Sequence, residues 1–509
     1  MAKPSRSGHN AGHGWIHAEL ASIPAAAAGL RHRRGPLERS GAAHLPHREN
    51  GPCCSGMPLR KLLFLVVVAL AVALASLHGL PATAATNECV IFITIDGLAA
   101  YYLSDSRAAL PTLRKLAAEG AVADGLRVVN PTTTWPNHTT LITGVYPQKH
   151  SVLFNGLMVR DGPGRPVRIE PDCTQRDLIA VPTLFDKLHK EGGRTAAINW
   201  PCTRGSTTLD DNWPDAPDRI QQTTPRLRAE LVRAGILEDM RDATFAEKSA
   251  AAQDQAWTAA ALHVLEARPP RLLLFHLLAT DALQHRYGPQ SAAAYAAIAL
   301  ADAHVAEVLR AVRDGPLREQ TTVVIASDHG FARPLKLINP DVVLRKAGLL
   351  RPGPHRRAQS ASEGGTAFVY LTNPATAVED RKKVIALLQN VEGVAEIIQP
   401  EHFGELHLPS PASNQQMGDL VLVAREGYVF SDEYLEDDPV TPLPISLGSH
   451  GYLSTDARMN GVLLLWGPRI RAGTRLGVVD SVDVAPTLGA LLGLELSKAD
   501  GKVLRAAFK

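Results

Sequence analysis

The sequence is poor in cysteine, with five among 509 residues. Cys53 and Cys54 fall in a leader that we expect to be absent from the mature chain, which leaves Cys89, Cys173 and Cys202. None of these three has the spacing of a zinc-thiolate site. Outside the cytosol one pair could form a disulfide, and we predict that Cys173 pairs with Cys202.

The chain also has no excess of basic over acidic residues when residues 1–84 are left out of the count. Residues 1–84 hold nine of the 53 Lys and Arg and three of the 51 Asp and Glu, which leaves 44 basic and 48 acidic residues and a net charge of −4. A protein that binds duplex nucleic acid normally presents a basic face, so we exclude that class. An anionic substrate would have to be held locally, by metal ions.

The apolar run near the front, Leu62–Leu77, is about one helical turn short of a comfortable membrane span. A basic start precedes it and Ala82-x-Ala84 follows, as in a secretory signal peptide. We therefore predict a signal peptide over 57–84 that is cleaved to leave no stable membrane span, and export to the periplasm or the exterior. Residues 1–56 would be a mis-called or disordered extension. The alternative is an uncleaved anchor with a basic cytoplasmic tail.

No repeat or low-complexity tract stands out after this leader. Hydrophobic residues make up 45% and charged residues 20% of the chain, which is ordinary for a globular protein. Apolar runs of strand length alternate with helical patterns; the predicted strands are 90–95, 272–278, 321–326 and 461–466, and the predicted helices are 110–120, 181–191, 245–266 and 291–312.

This alternation predicts an α/β fold with a mostly parallel central sheet and helices on both faces. We assign residues 85–509 to one catalytic domain. The stretch of about 341–447 breaks this alternation, with a single predicted helix at 378–388 and a strand at 367–371. We predict that it is an insertion that caps the sheet edge. In sheets of this kind the site lies beyond the carboxyl ends of the strands.

Acidic residues and histidines follow the predicted strands. They are Asp96 after the first strand, Asp281 and His285 after the second, Asp328 and His329 after the third, and His450 in a Gly-Ser-His-Gly loop. Each motif alone has a plain explanation, such as an Asp-Gly turn or an Asp and a His that share a helix face. Their joint occurrence at successive strand ends predicts a metal centre. Carboxylates and imidazoles suit zinc or another borderline divalent ion better than calcium, which prefers oxygen ligands.

A threonine near the start of a predicted helix is the candidate nucleophile. Pro136 can occupy the first turn of that helix, which places Thr134 at or near its cap. A helix start offers free N–H groups to a phosphoryl oxygen, and a metal ion lowers the pKa of a hydroxyl. The alternative for Thr134 is a plain N-cap. We predict that His138 is structural.

Seven short motifs follow one another along the chain, and their order indicates a family. They are Ile93-Thr-Ile-Asp-Gly97, Thr134-Trp-Pro-Asn-His138, Gly144-Val-Tyr-Pro147, Asp281-x-x-x-His285, Ser327-Asp-His-Gly330, Ser449-His-Gly451 and Asp483-Val-Ala-Pro-Thr-Leu488. In this order they resemble the alkaline phosphatase superfamily, and within it the type I nucleotide pyrophosphatase/phosphodiesterase family. The resemblance runs through nearly the whole mature chain.

The resemblance implies two divalent metal ions, zinc in both places. One would be bound by Asp96, Asp328, His329 and the Thr134 oxygen, and the other by Asp281, His285 and His450. Thr134 would be transiently esterified and then released by water.

The resemblance also implies that Asn155 binds the phosphoryl group and that Trp135 stacks on a nucleobase. The alternative for Trp135 is a place in the core. Two residues depart from the family pattern: Gln284 stands where Gly is usual, and Trp135 replaces the commoner Phe.

The implied activity is hydrolysis of a small phosphate ester or nucleotide by a phosphodiesterase or pyrophosphatase. A phosphomonoesterase, a phosphonate hydrolase or a choline-phosphodiester hydrolase would share the metals and differ in the pocket. From another class, an inactive binding module is the remaining alternative. A sulfatase is excluded because Thr134 stands where such an enzyme needs Cys or Ser. The oligomeric state stays open.

Overall fold

The computed structural model describes residues 88–215, 220–238, 245–351, 355–443 and 447–509. The predicted extension and signal peptide, 1–56 and 57–84, lie outside these residues.

The strands among them, in chain order, are β1 (Cys89–Ile95), β2 (Ala121–Val122), β3 (Gly125–Arg127), β4 (Leu157–Arg160), β5 (Val167–Glu170), β6 (Thr195–Trp200), β7 (Asp211–Pro214), β8 (Leu272–Leu277), β9 (Thr321–Ala326), β10 (Lys336–Ile338), β11 (Ala358–Ser362), β12 (Thr366–Leu371), β13 (Val394–Ile398), β14 (Leu420–Ala424), β15 (Tyr428–Phe430), β16 (Val440–Pro442), β17 (Leu463–Trp466), β18 (Thr474–Arg475) and β19 (Val478–Asp480).

The α-helices are α1 (Pro111–Glu119), α2 (Thr134–Thr143), α3 (Pro147–His150), α4 (Gln175–Leu178), α5 (Leu184–Lys190), α6 (Pro225–Arg233), α7 (Ala250–Ala267), α8 (Ala279–Tyr287), α9 (Ala292–Asp314), α10 (Pro340–Lys346), α11 (Ala377–Leu388) and α12 (Val484–Leu492). Short 3-10 turns lie at Ala100–Leu103, Ile220–Gln222, Arg318–Gln320, Pro400–Leu406, Ala457–Met459, Ser481–Asp483 and Arg505–Ala507.

The central sheet has the strand order β18-β2-β17-β9-β1-β8-β6-β7. β1 pairs in parallel with β8 on one side and with β9 on the other, and β17 is antiparallel to β9. The prediction of a mostly parallel sheet is therefore confirmed.

Both faces of this sheet are covered by helices. In β1, Ile91 and Ile93 join one core cluster, and the alternate residues Val90 and Phe92 join another. The first cluster takes side chains from α1, α6, α7 and α9, and the second takes them from α2, α5 and α12. Because successive side chains of a strand point to opposite faces, the continuous apolar run of β1 marks a strand buried on both sides.

Helix α9 is, in the described part of the chain, the helix long and apolar enough to cross a membrane. Half of its apolar window is buried, and Ile298, Val305 and Val308 belong to the core on the sheet. This burial is typical of a core helix.

A second sheet is formed within the stretch predicted as an insertion. Its strands β11, β12, β14 and β13 pair antiparallel in that order. The turn between β11 and β12 lies against the loop that carries His450. Gly365 N–H donates to His450 O over 2.9 Å, and Thr366 Oγ1 donates to Gly451 O over 2.9 Å. A Cβ on Gly364 would lie 2.2 Å from His450 O, so this approach requires glycine.

The predicted disulfide is wrong, because Cys89, Cys173 and Cys202 are buried free thiols. The Cys173 thiol donates to Glu170 O over 2.9 Å. Burial raises the pKa of Cys173 and raises that of Cys202 well above its usual range, so both thiols stay protonated.

Candidate active site

The site lies at one edge of the central sheet. β8, β1 and β9 are neighbours and parallel, so their carboxyl ends meet there. Asp96 directly follows β1, Asp281 lies in the first turn of α8 after β8, and Asp328 comes two residues after β9. The structure thus brings together residues that are far apart in the sequence.

The first group of side chains centres on His329. Its Nε2 atom lies 3.2 Å from Asp96 Oδ1, 3.5 Å from Asp328 Oδ2 and 3.5 Å from Thr134 Oγ1. Asp96, Asp328 and His329 are buried. These four residues are the ones that the resemblance assigned to a single ion.

The second group lies beside the first and is more open to solvent. His285 Nε2 is 3.3 Å from Asp281 Oδ1, and His450 Nε2 is 3.1 Å from His285 Nε2 and 3.8 Å from Asp281 Oδ1. The rings of His329 and His450 stack with their centroids 3.8 Å apart, which makes the two groups contiguous.

Backbone carbonyls fix how the three histidines face this centre. The Nδ1 atoms of His285, His329 and His450 lie 3.1, 3.1 and 3.0 Å from Gly448 O, Gly330 O and Thr132 O. Since a carbonyl only accepts, each Nδ1 carries a proton, and when the ring is neutral its Nε2 presents a lone pair to the site. This is how histidine ligands of metals are oriented.

Three carboxylate oxygens in the site are buried and have no hydrogen-bond donor. They are Asp96 Oδ1, Asp281 Oδ1 and Asp328 Oδ2. Such atoms, together with imidazole lone pairs that face one another, are costly unless a cation lies between them. The donor set of nitrogen and carboxylate oxygen fits divalent zinc.

Two sets of three side chains have ligand atoms that all lie within 4.8 Å of one another. One set is Asp281, His285 and His450, and the other is Asp96, Asp281 and His329. Asp281 thus lies within reach of both groups.

The charges of the first group reinforce this reading. Burial, with the charge of Asp281, raises the pKa of Asp96 to about 6, and burial with the charge of Asp96 raises that of Asp328 to about 6. Burial would lower the pKa of His329, but Asp328 and Asp96 outweigh it and raise that pKa to about 10. The carboxylates therefore attract positive charge, which a metal ion bound between them would supply.

A buried polar chain supports this group from behind. Thr94 Oγ1 lies 2.9 Å from His138 Nε2 and 2.9 Å from His276 Nδ1, and His276 Nε2 lies 3.2 Å from Asp96 Oδ2. His138 Nδ1 lies 2.9 Å from Thr134 O. Burial lowers the pKa of His138 to about 3 and that of His276 to about 4, so both rings are neutral.

Sequence reasoning missed His276. The available signal was a single polar residue inside the otherwise apolar run of β8.

The candidate nucleophile is the first residue of α2. Thr133 before it is extended, Pro136 lies in the first turn, and Gly144 ends the helix in the left-handed region with φ +72°. Trp135 N–H donates to Asn155 Oδ1 over 2.9 Å, which holds the Asn155 amide at the helix start. No hydrogen bond among the described residues uses Asn155 Nδ2, so this donor is available to a ligand.

Trp135 is 7% exposed. Its ring packs with Val152, Cys173 and Cys202, and the Arg204 guanidinium carbon lies 5.5 Å from the ring centroid. Most of the ring surface is therefore covered by the protein.

Comparisons with known proteins agree with this geometry. The family model for type I phosphodiesterase / nucleotide pyrophosphatase matches residues 90–453. The bis(5'-adenosyl)-triphosphatase enpp4 of Xenopus laevis is 23% identical over 436 residues, which cover 84% of this chain and 83% of that protein. Ectonucleotide pyrophosphatase/phosphodiesterase family member 3 of Rattus norvegicus is 22% identical over 48% of this chain and 25% of its own length.

The fold has a close counterpart among solved structures. Murine ectonucleotide pyrophosphatase/phosphodiesterase 5, an inactive variant in complex with AMP, superposes with a TM-score of 0.63 and 17% identity over 82% of this chain and 97% of that one. The family model covers more than half of the chain and spans the strands and loops that carry the site. The chain therefore belongs to the type I phosphodiesterase/nucleotide pyrophosphatase family, whose members are hydrolases.

Proposed function

We propose that the chain is a two-metal phosphodiesterase or nucleotide pyrophosphatase with Thr134 as its nucleophile. The observation that carries this proposal is the convergence of the Thr134 hydroxyl, the Nε2 atoms of three histidines and three buried carboxylate oxygens at one edge of the sheet. We assign Asp96, Asp328, His329 and Thr134 to one ion and Asp281, His285 and His450 to the other, with zinc as the metal.

When bound, such ions would lower the pKa of the hydroxyl and neutralise phosphoryl charge. The remaining contributions come from the chain itself. Thr134 Oγ1 loses its proton to water and attacks phosphorus, the bond from phosphorus to the leaving oxygen breaks, and that oxygen takes up a proton from water. A second water then attacks phosphorus, and Thr134 leaves and regains its proton. The backbone N–H of Thr134, the first residue of α2, and Asn155 Nδ2 can donate to the phosphoryl oxygens, which gain charge as the bond breaks.

A nucleotide is the substrate that the relatives favour. One is named a bis(5'-adenosyl)-triphosphatase, and the solved structure holds AMP. In this proposal the exposed part of Trp135 contacts the base.

The burial of Trp135 favours a second candidate, a hydrolase of phosphate esters that carry no base. A choline-phosphodiester, a phosphonate or a phosphomonoester would use the same metal centre without stacking on that ring.

The decisive experiment compares a nitrophenyl nucleotide diester with nitrophenyl phosphate on zinc-loaded protein. We expect faster hydrolysis of the diester, and a preference for the monoester would contradict the proposal.

Thr134→Ala should bind metal yet lose activity by several orders of magnitude. Thr143→Ala makes the same change at the other end of α2 and should keep activity. Substantial turnover by Thr134→Ala would remove Thr134 from its role.

We also propose that the protein is exported, since relatives are named as ecto-enzymes and venom phosphodiesterases. The amino terminus of the exported protein should be Ala85, and a terminus at or before Met57 would contradict cleavage in the signal segment. We likewise propose that residues of about 341–447 form an insertion, because this stretch contains a sheet separate from the central one.

A further inference from the structure

Gln284 lies on α8 between Asp281 and His285, and its side chain is fully buried. This is the position at which the family resemblance leads one to expect glycine. A buried amide needs partners for both its oxygen and its nitrogen, because an unpaired polar group in the interior costs about 1–3 kcal/mol. The partners of Gln284 show what the side chain does.

Both ends of the Gln284 amide are paired. Nε2 donates to Gly97 O over 2.8 Å, and Oε1 accepts from the hydroxyl of Tyr102 over 2.8 Å. That hydroxyl in turn accepts from Gln290 N–H over 2.8 Å, beyond the end of α8. Gln284 therefore ties α8 to the loop that follows β1.

Gly97 is the residue through which this tie reaches the first group of ligands. It directly follows Asp96, and its N–H lies 3.2 Å from Asp328 Oδ1. Its φ is +66°, and a Cβ there would lie 2.5 Å from a ring carbon of Phe331. The peptide of Gly97 thus has little room to move.

The same helix turn holds the second group. Asp281 and His285 lie on either side of Gln284 on α8, so the side chain of Gln284 links the helix of the second group to the loop of the first; separately, a Cβ on Gly448 would come within 2.4 Å of the backbone carbonyl oxygen of Gln284. Gly448 precedes the loop that presents His450. One side chain thus joins the elements that carry the ligands of both groups.

We infer that Gln284 is a positioning residue that fixes the spacing between the two groups of ligands. The inference rests on the proposed two-metal function. It assigns a role to the residue at which this chain departs from the family pattern, and it does not require Gln284 to touch metal or substrate.

Three variants separate the contacts. Gln284→Glu keeps the volume and the acceptor for Tyr102 but replaces the donor to Gly97 O by an oxygen. Gln284→Met removes both hydrogen bonds, and Tyr102→Phe removes only the bond to Oε1. Gln359→Glu is the matched control, because its amide likewise accepts from Val167 N–H over 3.1 Å and donates to Val167 O over 3.2 Å, between β11 and β5.

The measurement is titration of chelator-stripped protein with zinc and, for an absorption spectrum, with cobalt. We expect Gln284→Glu and Gln284→Met to bind at least one ion 10- to 100-fold more weakly, as is usual when the support of a metal ligand is removed. The cobalt spectrum should change, and kcat should fall while KM stays within about threefold. Tyr102→Phe should show a smaller effect, and Gln359→Glu should match the wild type.

Wild-type zinc affinity and an unchanged cobalt spectrum in both Gln284 variants would overturn the inference and leave the proposed function intact. Failure of the wild type to bind any divalent ion would instead overturn the proposed function. Should Gln284→Met fail to fold, Gln284→Glu carries the test, because it preserves the volume and one of the two bonds.

Discussion

At the scale of single residues, the Trp135 ring can either pack in the protein or stack on a nucleobase, and the two roles need different exposure of the ring. Its backbone N–H helps to hold Asn155, and its ring is packed against Val152 and two cysteines while a small part stays exposed. A ring used for stacking on a base needs a free face, whereas a packing ring does not. The two uses differ in how a mutation affects different substrates.

We expect Trp135→Ala to raise KM for a nucleotide diester about tenfold more than KM for a diester without a base, since stacking contributes about 1–3 kcal/mol per base. Unfolding free energy should also fall by about 3 kcal/mol, because a large buried ring is removed. Steady-state kinetics on both substrates and denaturant unfolding measure the two effects. Val152→Ala, in the same cluster, should lower stability without changing the ratio of KM values. Equal changes of KM in Trp135→Ala would identify the tryptophan as a packing residue.

At the scale of elements, the placement of α8 depends on an acid from another helix. Asp254 in α7 is buried, and its two oxygens accept from Leu278 N–H over 2.8 Å and Ala279 N–H over 3.0 Å. These donors belong to the start of α8, where backbone N–H groups have no partner within the helix. Burial raises the pKa of Asp254 to about 7, although the two hydrogen bonds oppose the shift.

Because the folded-state pKa lies above the ordinary value of 3.8, the folded chain binds this proton more tightly than the unfolded chain. The contribution of Asp254 to the free energy of unfolding should therefore decrease as pH rises from about 4 to about 7. Relative to the wild type, metal-free Asp254→Asn should gain at least about 1 kcal/mol of unfolding free energy over this rise in pH, since one pKa unit corresponds to about 1.4 kcal/mol. Urea unfolding at pH 4.5 and 7.5 tests this, and an equal decrease in both proteins would contradict it.

The elements also show which parts of the fold could be predicted. β1, β8 and β9 were predicted to within a residue or so because strands buried on both faces read as continuous apolar runs. The strands of the second sheet other than β12 were missed, since short antiparallel strands depend on partners that are distant in the sequence.

The site divides along the same line. The proposed ligands stand in motifs beside strand ends and could be located from the sequence, and the structure brings them together. The sequence could not reveal the roles of His276, Asp254 and Gln284, because each acts through a partner about 180 residues away or on another helix. The cysteine pairing failed because proximity in space, which the two residues have, does not by itself form a bond.

At the scale of the whole molecule, we expect the proposed metal centre to couple metal binding to folding. Carboxylates without donors and facing imidazole nitrogens destabilise the metal-free fold, and the unfolded chain has no such site. We expect zinc to raise the thermal midpoint of chelator-stripped protein by several degrees, since ligand at 100 times Kd adds about 2.7 kcal/mol. Differential scanning calorimetry with and without zinc measures the shift.

Calcium at the same concentration should have a much smaller effect, because nitrogen ligands suit it poorly. His450→Ala should respond less to zinc than the wild type, as one of its proposed ligands is gone. A thermal midpoint that zinc leaves unchanged would contradict the metal centre.

The glycine-lined contact between the β11–β12 turn and the His450 loop has a practical consequence for anyone who trims this enzyme. Gly365 N–H and Thr366 Oγ1 donate to the carbonyls of His450 and Gly451, so the second sheet supports the backbone of a proposed metal ligand. A shortened version lacking that sheet would keep every proposed ligand in its sequence but would lose two of the hydrogen bonds that hold the His450 loop. Miniaturisation should therefore preserve this turn, or replace it with another clamp.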